Sequence, residues 1–275
     1  MGSLTSKDVC AVVCTKNSLN SIENCLKSLK QAGVAEIIVV DAASTDGTAE
    51  VAEKYADLVL SDSGIGLGNA RNTGIARSTK QLILNVGSDN VFPDGELQKM
   101  IDYLEDNHLQ GVSAQTYVSG SEYLARGLNA WRAGRFVEGE CAVIGTPTLF
   151  FGDMLRANPY DARSKFSDDS ELCERWAQQF NARFAISDAQ VVEIGKTSWS
   201  EIKIRARMYG MSDHEIYSRN QASWTTRRKI TSLTHPLRVD LLQPLSRLPV
   251  KQVPVYAPFL LAFSFNRYLG WLRKR

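Results

Sequence analysis

No stretch of this chain reaches the roughly 20 consecutive apolar residues that a helix needs to cross a bilayer. The start, MGSLTSKDVCAVVC, lacks a basic region followed by a long apolar core, so no secretory leader is expected. Its M-G-x-x-x-S pattern, with Gly2 and Ser6, fits N-myristoylation only superficially. The five cysteines (Cys10, Cys14, Cys25, Cys141 and Cys173) show no C-x-x-C spacing. An odd number of thiols in apolar settings, without zinc spacing, points to reduced, buried side chains and a cytoplasmic protein. An excess of one charge is missing too. With 32 Lys and Arg against 30 Asp and Glu, the net charge is +2, too small to draw the chain to nucleic acid, and no nucleic-acid partner is expected. The charge is uneven, however: the first half holds most of the carboxylates, and the C-terminal quarter is rich in Arg and Lys. Internal repeats and low-complexity linkers are also absent. What remains is a 44% hydrophobic, 23% charged chain of 275 residues, long enough for one large domain or a domain with an appendage.

The first half alternates regularly. VCAVVC reads as a short buried strand, followed by a helix in which Ile22, Cys25, Leu26 and Leu29 recur at helical spacing and Gly33 stands at the C-cap. EIIVVDA is the next strand and STDGTAEVAEKYA the next helix. DLVLS, a glycine-rich loop, the helical NARNTGIARST and the strand QLILNV follow. DGELQKMIDYLEDN is an amphipathic helix with Leu97, Met100, Ile101 and Leu104 on its apolar face. Near-continuous apolar strands alternating with helices predict an α/β fold with a mostly parallel, Rossmann-like sheet and helices on both faces. Beyond residue 110 the spacing predicts strands at GVSAQTYV, CAVIGTPTLFF and FAISDAQVVEI, and helices at SEYLARGLNAWRAG, DDSELCERWAQQFNA and SEIKIRARMYG. We expect one domain over 1–220 and a basic, aromatic helical extension over 221–275.

In such a sheet, ligands gather beyond the carboxyl ends of the strands. The first strand delivers Thr15, Lys16 and Asn17 there, the second Asp41 and the fourth Asp89. A dinucleotide-binding fold would put its glycines after the first strand, where this chain has CTKNSLNS; Gly64, Gly66 and Gly68 come too late. A nucleotidyltransferase would want a glycine- and lysine-rich loop at the same place.

Four segments in order, VVCTKNSLNSIENCLKSL, EIIVVDAASTDGTAEVAEKY, GLGNARNTGIARSTKQLILNVGSDNVFPDG and FSDDSELCERWAQQ, resemble the successive motifs of the inverting family-2 glycosyltransferases, over roughly residues 8–210. The resemblance implies a GT-A fold and an enzyme that moves a sugar from a nucleotide-sugar donor to an acceptor hydroxyl, on a glycan or lipid-linked acceptor. It implies that Thr15, Asn17 and Asp41 hold the nucleoside, although Cys14 replaces the family's proline. Ser44, Asp46 and Gly47 match the same motif but are read here as capping and turn residues. Arg71 and Asn72 match A-R-N-x-G and would open a helix near the phosphates. The family's D-x-D falls on Gly87-Ser88-Asp89, which leaves Asp89 as the single carboxylate for a Mn or Mg ion and weakens both the ribose contact and metal dependence. Ser167-Asp168-Asp169-Ser170-Glu171-Leu172-Cys173-Glu174-Arg175 lines up with G-E-D-x-E-L-x-x-R, which makes Asp169 the catalytic base.

VIGTPTLFF (143–151) would line the acceptor pocket, and Arg205 and Arg207 resemble a basic helix that covers the donor diphosphate. The tail VPVYAPFLLAFSFNRYLGWLRKR carries Phe259, Phe263, Phe265, Tyr268 and Trp271 beside Arg267, Arg273, Lys274 and Arg275. Aromatic anchors among cations suit a peripheral place on the cytoplasmic face of a membrane; packing on protein is the other reading. Two alternative functions stay open: a catalytically silent nucleotide-sugar or glycan-binding module, favoured by Gly87, and a nucleotidyltransferase.

Overall fold

The computed structural model describes residues 3–163, 168–195 and 198–273. Gly2, Ser167, Lys274 and Arg275, which carry parts of the myristoylation, base-motif and membrane expectations, lie outside the described residues. The chain divides into two compact units, Met1–Thr116 with Glu138–Gly195 and Tyr117–Val137 with Lys196–Arg275. This division differs from the expected cut at residue 220. The helix over Trp199–Asn220 belongs with the C-terminal helix because the two pack closely along their length.

The first unit runs β1 (Val9–Thr15), α1 (Ile22–Gln31), β2 (Glu36–Asp41), α2 (Thr48–Ala52), β3 (Leu58–Ser61), α3 (Leu67–Ile75), β4 (Leu82–Gly87), β5 (Asn90–Val91), α4 (Glu96–Asp106) and β6 (Gly111–Val118). After α5 (Tyr123–Arg135), which belongs to the second unit, it resumes with β7 (Gly139–Cys141), β8 (Thr148–Phe151), α6 (Gly152–Ala157), α7 (Asp168–Phe180) and β9 (Phe184–Glu193). The strands form one sheet in the order β3-β2-β1-β4-β8-β6-β9-β5, with β7 also on β9. It is parallel from β3 to β4, and β8 then joins β4 antiparallel. The chain passes outward from β1 to β3, then returns to the other side of β1 as β4. That reversal opens a crevice beyond the ends of β1 and β4.

The parallel strands bury both faces, and alternate residues serve opposite cores. Val9, Ala11 and Val13, with Leu82, Leu84 and Val86, pack against Ile22, Leu26 and Leu29 of α1 and Met100 and Leu104 of α4. Cys10, Val12 and Ile83 face Ala70 and Ile75 of α3 and Leu172 and Trp176 of α7. Each fully buried aliphatic side chain contributes about 1.5–3 kcal/mol relative to exposure. Helix α1 stops where expected. Gly33 has φ +77°, its N–H reaches Lys30 O at 3.0 Å, and Val34 N–H reaches Leu29 O at 3.2 Å, the two bonds of a Schellman cap. CAVIGTPTLFF is not one strand. β7 ends at Cys141 and β8 begins at Thr148, because Gly145 and Pro147 interrupt the run and proline has no N–H for a ladder.

The second unit is helical: α5, α8 (Trp199–Asn220), α9 (Thr226–Leu233), α10 (Gln243–Arg247) and α11 (Val253–Leu272). Its core is Leu128, Trp131, Ile202, Ala206, Phe259, Leu260 and Phe263. Helices α8 and α11 touch through glycine: a Cβ on Gly210 would fall 1.8 Å from Arg267 O. The tail is therefore partly core. Arg267, expected as a membrane-facing cation, is 4% exposed; its Nε and Nη2 donate to Asp213 at 2.6 and 2.9 Å, and its Nη1 to Asp240 Oδ2 at 2.8 Å. Phe265 and Leu272 remain exposed. Among the described residues no helix is long and apolar enough to cross a membrane.

Candidate active site

The ends of β1 and β2 are tied together before any ligand enters. Thr15 and Asp41 are paired in register, and Ala42 N–H donates to Thr15 O at 2.9 Å. Asp41 is buried; its Oδ2 accepts from Ser44 N–H at 2.9 Å and its Oδ1 from the Ser44 hydroxyl at 2.5 Å. Asn17 has φ +48°, a conformation asparagine tolerates, and its Oδ1 accepts from Thr45 N–H at 2.9 Å. Each Asp41 oxygen keeps lone-pair capacity beyond Ser44, so the carboxylate can still take a nucleoside donor. Among the described residues the buried Thr15 hydroxyl has no partner. Asp46 accepts from the Thr48 hydroxyl at 2.5 Å and from Leu19 N–H at 3.1 Å, and Gly47 is the left-handed N-cap of α2. These are the capping roles expected of them.

Beyond β4 the chain turns tightly. Gly87 N–H donates to Asn90 Oδ1 at 3.0 Å, and Asp89 O accepts from Ile194 N–H at 2.8 Å. A Cβ on Gly87 would come 2.8 Å from Asp89 Oδ1 and 3.0 Å from Asn90 Oδ1, so a first aspartate here would crowd the second. Burial pushes the Cys25 thiol, whose Sγ lies 3.5 Å from Gly87 O, well up, and the Asp89 carboxylate adds to the effect.

Arg71 is held by side chains of the protein itself. It sits within α3 rather than at its start and is 6% exposed. Its Nη1 donates to Asp168 Oδ2 at 2.8 Å and Asp169 Oδ1 at 2.5 Å, and its Nη2 to Thr146 Oγ1 at 2.5 Å. The guanidinium lies 5.0 Å from the centre of the Tyr160 ring. Two carboxylates at the start of α7 would repel one another in a buried site, and one buried arginine compensates both. Burial pushes the Asp168 carboxyl up to about 6, with Arg71 pulling it down and Asp169 adding to the rise. Cys14, near the same arginine, is pushed up to about 12 by burial and is an inert thiol.

Residues 10–156, more than half of the chain, match the model described as Glycosyl transferase family 2. The chain belongs to that family. Glycosyltransferase AglJ of Haloferax volcanii is 29% identical over 105 residues, which cover 38% of this chain and 35% of AglJ. Succinoglycan biosynthesis protein ExoU of Rhizobium meliloti is 32% identical over 112 residues, covering 36% of this chain and 33% of ExoU. The match thus spans about a third of the length of these curated relatives. Among solved structures, S. aureus TarS 1-349 in complex with UDP superposes with a TM-score of 0.53 at 17% identity over 96% of this chain and 88% of that chain. Mannosyltransferase PcManGT from Pyrobaculum calidifontis, in complex with GDP-Man and Mn2+, gives 0.56 at 18% identity over 96% and 72%. The fold is of GT-A type.

Within this family-2 domain, the strand ends bearing Thr15, Asn17, Asp41 and Asp89 and the base candidate Asp169 fall in the same compact unit. Arg205 and Arg207 fall in the other, on α8, where Arg207 Nε donates to Asn266 Oδ1 at 3.2 Å. Of residues 143–151, Thr146 holds Arg71, while Leu149 and Phe150 are core. Among the described residues no cluster of three His, Cys, Asp or Glu side chains could hold a metal ion unaided. The single carboxylate of Asp89 fits a hard cation that takes its other ligands from a diphosphate and water. The sequence reading missed Tyr160 and Asn85 altogether, because no periodicity or spacing marks them, and it placed Thr146 only within the segment expected to line the acceptor pocket. The loop carrying Tyr160 is strongly braced. Asn72 exchanges two hydrogen bonds with the Tyr160 backbone (2.8 and 3.1 Å), Arg175 donates to Pro159 O at 2.6 Å and Trp176 to Asn158 O at 3.0 Å. A Cβ on Gly68 would meet Asp161 O at 2.3 Å, so only glycine lets this loop approach α3.

Proposed function

We propose that this chain is an inverting glycosyltransferase that moves a sugar from a nucleoside-diphosphate sugar to an acceptor hydroxyl. The observation that carries the reading is the state of Asp169. Its Oδ1 is occupied by Arg71 and Tyr160, its side chain is 17% exposed, and Oδ2 has no hydrogen-bond partner among the described residues. Asp169 Oδ2 takes the proton of the acceptor hydroxyl as that oxygen bonds to the anomeric carbon. The bond from that carbon to the diphosphate oxygen breaks on the opposite face, and the nucleoside diphosphate leaves with the electron pair. Direct displacement inverts the anomeric centre without a covalent enzyme intermediate, and general-base help of this kind contributes about 10²–10⁴-fold.

Asp41, Asn17 and Thr15 take the nucleoside, and Asp89 would hold a Mn or Mg ion. A bound cation would neutralise charge on the departing diphosphate. Donor complexes of the structural neighbours, with UDP for TarS and GDP-Man with Mn2+ for PcManGT, support this choice of ligand class. The acceptor in this proposal is a glycan or lipid-linked hydroxyl met at a membrane surface. Leu261, Phe265 and Leu272, 54%, 62% and 66% exposed along α11, support that placement.

A panel of UDP-, GDP- and dTDP-sugars, with and without manganese, tests the donor reading by thermal shift, because a ligand at about 100 times its Kd stabilises by about 2.7 kcal/mol. One donor should raise the melting temperature, more so with manganese, and release its sugar to water or acceptor. No response to any donor would overturn the proposal. Sedimentation with anionic vesicles at low salt tests the surface, and absence of association would remove the membrane.

A further inference from the structure

A tyrosine contact on the base candidate deepens the proposed function and rests on it. Tyr160 is 2% exposed and its ring lies under the Arg71 guanidinium. Its hydroxyl donates to Asp169 Oδ1 at 3.3 Å and accepts from Asn85 Nδ2 at 3.0 Å. Asn85 is 1% exposed, on the face of β4 that it shares with Ile83. A phenol has one proton to give. With Asn85 presenting its NH2, that proton can go only to Asp169, which sets the direction of the whole chain of bonds. The backbone on either side of Tyr160 is fixed by Asn72, Arg175 and Trp176, so the hydroxyl is delivered by a rigid loop.

We infer that Tyr160 is a positioning residue for the transfer reaction: with Arg71 it clamps Oδ1 of Asp169, which fixes the carboxylate rotation and reserves Oδ2 for the acceptor proton. The charged and titratable groups facing Asp169 are Arg71 from α3, Asp168 and Cys173 from α7, and Tyr160 from the loop after α6; Cys14 of β1 lies next beyond Arg71. Burial, reinforced by Asp169, pushes the Tyr160 phenol well above its ordinary value, so it stays a donor across the working pH range. Arg71 stays charged throughout.

The test is Tyr160→Phe in the full chain, with donor affinity, melting temperature and single-turnover transfer measured side by side. Transfer near neutral pH should fall about tenfold, with donor affinity unchanged. A merely structural role would weaken donor binding along with transfer, whereas a positioning role lowers transfer alone. Transfer at the wild-type rate in the folded variant, or a loss of donor affinity equal to the loss of transfer, overturns the inference. Should Tyr160→Phe fail to fold, Asn85→Ala, which removes the donor behind the phenol, should slow transfer by a smaller factor with donor affinity unchanged, and wild-type transfer there counts equally against it. The underlying reading fails separately: if Asp169→Asn turns over normally, Asp169 is not the base, whatever Tyr160→Phe does to the rate.

Discussion

Replacing Arg71 with methionine separates two roles that its place in the motif leaves open. The side chain is 7% exposed and lies against aspartates whose side chains are 3% and 17% exposed. Methionine fills most of the volume but leaves two like charges together with no cation. Removing one partner of a buried ion pair typically costs about 3–5 kcal/mol. The cost should depend on pH. Asp168 is held at about 6 even with Arg71 present, and without the arginine its carboxyl moves higher. A carboxyl whose folded value is raised above its unfolded value helps the folded state at low pH and stops helping as pH rises through the folded value. The gap between wild type and variant in urea unfolding should therefore be small near about pH 5 and approach its full size by about pH 8. Donor affinity, measured where both proteins are folded, should be nearly unchanged. The opposite pattern, with stability intact at every pH and donor affinity weakened, would refute the carboxylate clamp and return Arg71 to the phosphates.

Asp240→Ala should unfold the helical unit readily. Asp240 is fully buried and accepts from Trp131 Nε1 at 3.0 Å, from Arg267 at 2.8 Å and from Arg135, so three donors lose their acceptor. A fall in melting temperature on the order of 10 °C is expected, and a change too small to measure would contradict the network. Burial alone would raise the Asp240 carboxyl, but Arg135 and Arg267 outweigh it and hold the group below its ordinary value. Its contribution is therefore present above the unfolded value of 3.8 and is lost as pH falls through the lower folded value. At β4, Asp89→Ala should abolish the manganese response of donor binding measured by calorimetry; an unchanged response would remove Asp89 from the cation. Gly87→Asp should lower stability without metal, because its Cβ would displace the side chains of Asp89 and Asn90, and should recover on adding manganese.

The parallel half of the sheet was legible because its strands are short, nearly continuous apolar runs separated by helices with one apolar stripe. Gly33, Asp46 and Gly47 were legible as caps because their chemistry is local. The arrangement around Asp169 was not. Arg71 and its aspartates are 97 and 98 residues apart, and Asn85 and Tyr160 are 75 apart, so no periodicity connects them. Arg267 misled for a related reason. An arginine among aromatic residues near a terminus has the composition of a membrane anchor, and only the long-range partners Asp213 and Asp240 make it core. The broken strand between Cys141 and Thr148 shows the remaining limit: apolar content suggested one strand, whereas the glycine and proline within it decided otherwise.

Asp169→Asn bears most directly on the central claim. Asparagine keeps an oxygen to accept from Arg71 and Tyr160, and Asp168 still pairs the arginine, so fold and donor binding should survive. With the donor identified by thermal shift, single-turnover sugar transfer should slow by at least about 10²-fold while the melting temperature and donor Kd stay close to wild type. Transfer at a near-wild-type rate in a folded, donor-binding variant would contradict the account.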